Sequence, residues 1–237
     1  MAAQAPLPRA VPIRTADGEI VSGFTSPPDW RDLKQHTGAM AALDVKAILD
    51  EQHHRAYGRP WVLGRCYFDE LVARRLKPSE RVLDLGCGAG RLGVWLIPFL
   101  EVGHYYGIDN HFGTLWAFAS YECLLHNLFE RQPNLMLDDD LRIDRFGVSF
   151  DVVLDFNVSV HLPMDKRERL FRDIAGVCTP GARLIMPRKP KVSRTLLPTL
   201  GFQLVNRGDV QYPGLEHWPV DPHATDRWYE FRLSEPG

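Results

Sequence analysis

From residue 81 to residue 233 the chain alternates short apolar runs with longer stretches of helical period, and nothing else in it narrows the fold as much. The runs cover residues 81–85, 104–108, 134–137, 150–154, 182–186, 202–205 and 228–233. Short runs with almost no polar interruption suit strands buried on both faces, as in a parallel sheet. Between them, residues 91–97, 112–128 and 165–178 carry helical spacing, with Asp165 and Glu168 reading as a capping box. Strand–helix alternation predicts an α/β fold: a doubly wound, mostly parallel seven-stranded sheet with helices on both faces. Such sheets bind ligands beyond the carboxyl ends of their strands, near the point where strand order reverses. The residues just past each strand are therefore the ones to inspect.

Upstream the pattern changes. Residues 1–30 hold Pro6, Pro8, Pro12, Pro27 and Pro28 with few apolar clusters, and predict a flexible N-terminal arm. Residues 31–78 predict an N-terminal helical cap of two helices, over 33–57 and 61–76, stopped by Gly58–Pro60 and by Pro78. Residues 79–237 then form the ligand-binding domain. A chain of 237 residues, 45% of them hydrophobic, buries a sizeable core without staples. Cys66, Cys87, Cys123 and Cys178 form no CxxC pair, which argues against a zinc site or a disulfide framework and suits a reducing compartment. No leader or membrane-length apolar run is evident, so the expectation is a cytoplasmic protein without a membrane partner. A net charge of −2 gives no basic face for nucleic acid.

The turn Asp84-Leu85-Gly86-Cys87-Gly88-Ala89-Gly90 follows the first of the apolar runs directly. Alternating glycines let a ligand approach the backbone, and the helix expected from Arg91 presents free N–H groups there. Residues 88–93 also fit GxGxxG, so a dinucleotide, and with it an NAD(P)-dependent oxidoreductase, stays open. Asp84 weighs against that: a carboxylate at the mouth of the turn repels a pyrophosphate and suits a cation. S-adenosylmethionine carries an ammonium and a sulfonium. Asp109 closes the second run about 20 residues past the turn, where an acid that holds ribose hydroxyls is expected, although an aspartate there also suits a helix N-cap.

The segment Val82-Leu83-Asp84-Leu85-Gly86-Cys87-Gly88-Ala89-Gly90 resembles the first motif of class I S-adenosylmethionine-dependent methyltransferases, and later segments follow in the family's order. Tyr106-Gly107-Ile108-Asp109 is similar to the second motif. Asp140, ten residues before Phe150, resembles the acid that meets the adenine amino group, with Asp138 and Asp139 as neighbouring registers. Phe150 through Leu154, continuing to Val160-His161-Leu162, resembles the fourth motif and its trailing histidine. Thr179 through Met186 is similar to the turn and strand that come next. The resemblance implies a Rossmann-like methyltransferase using S-adenosylmethionine, held by Asp84, Gly86, Cys87, Gly88, Gly90, Asp109, Asn110, Asp140 and Asn157. It leaves open an aminopropyl transferase of the same fold and a cofactor-binding adaptor without catalysis.

Methyl transfer needs alignment and exclusion of water, and a hydroxyl acceptor also needs a base. His161 is the candidate base; its alternative role is to cap the turn before Leu162-Pro163. Where a metal-dependent branch would place carboxylates, the chain reads Met186-Pro187-Arg188-Lys189, which argues against a divalent ion. With Lys191 and Arg194 these cations suggest a small-molecule acceptor bearing an anionic group, Arg188 meeting it, or a solvated loop. Tyr57 and His217 are further candidates for the acceptor pocket, a hydroxyl or amine of a natural product or sugar derivative being the expected acceptor.

Overall fold

The computed structural model describes residues 11–22, 63–156, 158–186, 193–209 and 227–234. They open with a hairpin of β1 (Ile13–Thr15) and β2 (Ile20–Ser22), turning through Gly18 at φ +90°. Next come α1 (Arg65–Ala73), β3 (Val82–Leu85), α2 (Gly93–Phe99) and β4 (Tyr105–Asp109). Helix α3 starts as Phe112–Ala117, widens into a π-helical turn over Phe118–Glu122 and ends as Cys123–Leu125. The chain continues through β5 (Asn134–Leu137), β6 (Phe150–Asp155), α4 (Met164–Val177), β7 (Cys178–Met186), α5 (Ser193–Thr199), β8 (Phe202–Asp209) and β9 (Arg227–Leu233).

The strands form one sheet in the order β2-β1-β5-β4-β3-β6-β7-β9-β8. The five central pairings from β1 to β7 are parallel, while β1–β2, β7–β9 and β8–β9 are antiparallel. β3 to β9 are the seven strands expected. The hairpin adds two more, so the sheet has nine strands among the described residues, and part of the stretch read as a flexible arm is sheet: Ile13 pairs with Leu135 and is fully buried. Burial of that one side chain outweighs the prolines around it.

Alternate residues of each strand feed two apolar layers. Val82, Tyr105, Val152 and Leu154 pack with Tyr67 and Leu71 of α1, Leu96 and Ile97 of α2, and Leu115 and Phe118 of α3. Leu83, Leu85, Ile108 and Val153 pack with Leu170, Phe171 and Ile174 of α4 and Leu197 of α5. Helices therefore cover both faces, as strands lacking a polar face require. The expected capping box does not form: the N-cap of α4 is Pro163, with no side-chain cap bond, and Asp165 lies in the first turn. β7 also begins earlier than expected, at Cys178 rather than after the Thr179-Pro180-Gly181 turn. The helix read over 33–57 lies outside the described residues.

Chain order runs outward from β3 through β4 to β5 and then returns to β6 on the other side of β3. The reversal point is thus between β3 and β6, where Leu85 sits beside Asp155. The glycine turn leaves β3 at that point.

Candidate active site

Gly86, Gly88 and Gly90 take φ of +66°, +54° and +83°, values that side chains rarely tolerate. The turn is fixed from β4: the N–H groups of Gly86 and Cys87 donate to the Ile108 carbonyl at 2.8 and 3.2 Å, and Gly88 N–H donates to Asp109 Oδ2 at 2.8 Å. Its bare positions are also filled by neighbours. A Cβ on Gly86 would lie 2.2 Å from Val158 Cγ2, and one on Gly90 2.3 Å from the Phe118 ring. A Cβ on Gly64, just before α1, would lie 2.0 Å from the Arg91 carbonyl. Three elements thus close on the turn. α2 starts at Gly93, two residues later than expected.

Carboxylates converge beside it. Asp84, Asp109 and Asp155 end or nearly end β3, β4 and β6, Asp138 follows β5 by one residue, and all four are buried. Burial pushes the Asp84 carboxyl up to about 7, against a 2.8 Å hydrogen bond donated to Oδ2 by the Tyr105 hydroxyl. Burial likewise raises Asp109, offset by N–H donation from His111, Gly88 and Asn110. Gly88 N–H donates to Asp109 Oδ2 and His111 N–H to Oδ1, each at 2.8 Å. Asn110 itself is exposed.

The trio 138–140 divides clearly. Asp138 is buried, accepts from Asp140 N–H at 2.7 Å and Arg142 Nε at 2.9 Å, and donates its own N–H to the Asp109 carbonyl at 3.1 Å. Asp140 is exposed and paired with Lys166 of α4 at 2.9 Å, which lowers its carboxyl. The structure therefore brings Asp138, not Asp140, against the second-motif aspartate.

After β6 the chain makes a tight turn. Asp155 Oδ1 accepts from Val158 and Ser159 N–H, both at 3.0 Å. Arg167, reaching back from α4, donates to the carbonyls of Ser159 at 2.6 Å, Val160 at 3.2 Å and Leu162 at 2.7 Å. His161 is the exposed tip of this turn, and its N–H donates to the Val158 carbonyl. Phe156, just past β6, stacks on Tyr67 at 4.9 Å and meets Trp228 at 4.8 Å. Asn157, Tyr57, Arg188 with Lys189 and Lys191, and His217 lie outside the described residues, while Arg194 is exposed on α5.

Tyr105, His111, Phe118 and Arg167 were not singled out from sequence. His111 N-caps α3, its Nδ1 accepting from Thr114 N–H at 3.2 Å, a role a motif scan for acids does not catch. None of the cysteines supplies a reactive thiolate: burial pushes Cys87 and Cys123 up, Cys178 up to about 12, and Cys66 upward too. A cavity of about 450 Å³ between Arg14, Tyr106, Phe129, Asn134 and Phe146 shares no lining residue with the glycine turn.

A family model described as "Methyltransferase domain" matches residues 83–184, the span from β3 to β7. Among solved structures, the magnesium protoporphyrin IX methyltransferase ChlM of Synechocystis PCC 6803 with bound SAM (S-adenosylmethionine) is 19% identical, with a TM-score of 0.57 over 88% of this chain and 99% of that one. An S-adenosylmethionine-dependent methyltransferase of Clostridium acetobutylicum ATCC 824 is 15% identical, with a TM-score of 0.53 over 76% and 94%. The CcbJ methyltransferase of Streptomyces caelestis is 14% identical, with a TM-score of 0.51 over 73% and 96%. At these identities the structures share a fold, while the family match covers the strands and turn that hold the acids. The span from β3 to β7 is thus a methyltransferase domain, on a fold shared with S-adenosylmethionine-dependent methyltransferases, and the chain is an enzyme whose cofactor is S-adenosylmethionine.

Proposed function

We propose that this enzyme methylates a hydroxyl or amine of a small-molecule acceptor. Four buried aspartates at the ends of adjacent parallel strands, beside a bare-backbone turn, carry the reading. A site so acidic favours a cationic amino acid–nucleoside conjugate and opposes a dinucleotide pyrophosphate. Bound there, S-adenosylmethionine supplies an electrophilic methyl group. Gly86, Cys87, Gly88 and Gly90 give backbone contact. Asp84 offers charge to the ammonium group, Asp109 its carboxylate to ribose hydroxyls, and Asp138 the acid on the adenine side. Asn157, which follows β6 in sequence, is proposed to frame the methionine portion. That ChlM is named for a porphyrin acceptor supports a small molecule here, and Arg188 suits an acceptor carrying an anionic group. Tyr57 and His217 are proposed to border that acceptor. Four unpaired cysteines suit a cytoplasmic setting.

His161, at the tip of a turn pinned by Asp155 and Arg167, is the proposed base for a hydroxyl acceptor. Calorimetry with S-adenosylhomocysteine and with NADH tests the site: the demethylated product binds and the dinucleotide does not, and the reverse would overturn the reading. With an acceptor in hand, His161→Ala lowers kcat by roughly 10²- to 10⁴-fold for a hydroxyl acceptor and leaves cofactor affinity unchanged. An unchanged kcat removes His161 from the chemistry.

A further inference from the structure

Tyr105 opens β4, and its hydroxyl reaches into the buried space beside β3. It donates to Asp84 Oδ2 at 2.8 Å, and both residues are almost wholly shielded from solvent. The space is prepared for it. A Cβ on Gly93 would lie 2.8 Å from the Tyr105 hydroxyl oxygen, and the Phe118 ring packs edge-on against the Tyr105 ring at 6.0 Å. The same Phe118 ring fills the space over Gly90. Ring, carboxylate and glycine turn are therefore one packed unit.

A carboxylate stripped of water keeps its charge only if donors replace the water. We infer that Tyr105 is a positioning residue for cofactor capture: its hydroxyl holds the Asp84 carboxylate fixed and ionised beside the glycine turn. The inference rests on the proposed role of Asp84 toward the ammonium group. Among the described residues, few other groups act on Asp84. Asp109 across the turn disfavours the charge and Arg91 favours it, while the Cys87 thiol stays protonated. Tyr105 itself stays protonated, because burial and the neighbouring carboxylate push its hydroxyl upward. It is a permanent donor across the physiological range.

Tyr105→Phe removes the donor and keeps the ring. Losing one hydrogen bond to a charged group makes Asp84 a roughly tenfold weaker acid. Since only the ionised form captures the cation, S-adenosylhomocysteine binding falls about tenfold at pH 6 and roughly fivefold at pH 7, and returns to within twofold of wild type by pH 8.5. A loss of equal size at every pH, or superimposed profiles, would overturn the inference. In the ligand-free protein, the carbon-13 carboxyl resonance of Asp84, assigned with Asp84→Asn, titrates at higher pH in Tyr105→Phe than in wild type. An unmoved titration also refutes the role of Tyr105, independently of any cofactor. Failure of wild type to bind S-adenosylhomocysteine at all refutes instead the role given to Asp84 in capture.

Discussion

Arg167 shows how one side chain sets the geometry of another. Its guanidinium lies on α4 yet donates to three carbonyls of the turn that carries His161. A planar fork of donors spans several acceptors at once, which an ammonium does not. Arg167→Ala should cost about 2 kcal/mol of stability, from charge-assisted bonds lost at a partly buried site. Arg167→Lys should recover less than half of that. Thermal unfolding measures both, and an Ala variant as stable as wild type would show the turn to be held by Asp155 alone. The contrast with Asp84 and Asp109 shows what a sequence reveals at this scale. Those two acids stand at fixed spacing from a glycine turn, a local signal. Tyr105, Phe118 and Arg167 act through contacts with Asp84, Gly90 and the 159–162 turn that only packing establishes. Between Asp138 and Asp140 spacing alone did not decide, because the chain bends at Leu141, whose φ is +53°. That bend leaves one carboxylate buried and the other paired with α4.

Among elements, the glycine turn is the most constrained, because two independent demands fall on it. At Gly90 the backbone is left-handed and a neighbouring ring occupies the Cβ space. Gly103, before β4, has a similar φ of +79° but nothing within 4 Å of its Cβ position. Gly103→Ala should therefore cost about 1 kcal/mol, from backbone strain alone. Gly90→Ala should cost roughly 2–4 kcal/mol, strain and overpacking together, and weaken cofactor binding as Phe118 shifts. Equal costs in denaturant unfolding would mean that the Phe118 contact yields freely. Elsewhere the legibility of elements followed their burial. β3 to β6 were readable within a residue or so, since strands covered on both faces are apolar throughout. The β1–β2 hairpin was not, because three-residue strands set among prolines carry almost no periodic signal. Their pairing is dictated instead by the open edge of β5. The α4 cap was misread for a related reason: Pro163 already starts a helix without a side-chain acceptor, so Asp165 stays in the first turn.

For the molecule as a whole, gathering acids at one edge of the sheet sets binding against stability. Folding without cofactor places Asp84, Asp109 and Asp155 in sites that raise their carboxyls, so the folded state retains protons that the unfolded chain releases. Stability is then greatest at low pH and falls as pH rises, because the unfolded state binds fewer protons in that window. For Asp84 the window runs from the ordinary carboxylate value, 3.8, to about 7, and the loss across it is on the order of 4 kcal/mol. Asp140, lowered by Lys166, acts in the opposite sense but on the acid side of that window. The ligand-free enzyme should thus unfold on the order of 10 °C lower at pH 8 than at pH 5. Asp84→Asn should flatten most of that slope, raising the ligand-free Tm at pH 8 while weakening S-adenosylhomocysteine binding. Saturating S-adenosylhomocysteine should flatten the wild-type slope as well, since a bound ammonium offsets the buried charge at high pH. Calorimetric unfolding of wild type and Asp84→Asn between pH 5 and 8, with and without that ligand, decides the matter. Parallel slopes in the two proteins would mean that Asp84 ionises in the folded enzyme as readily as in the unfolded chain, and the burial cost assigned to its charge would be refuted.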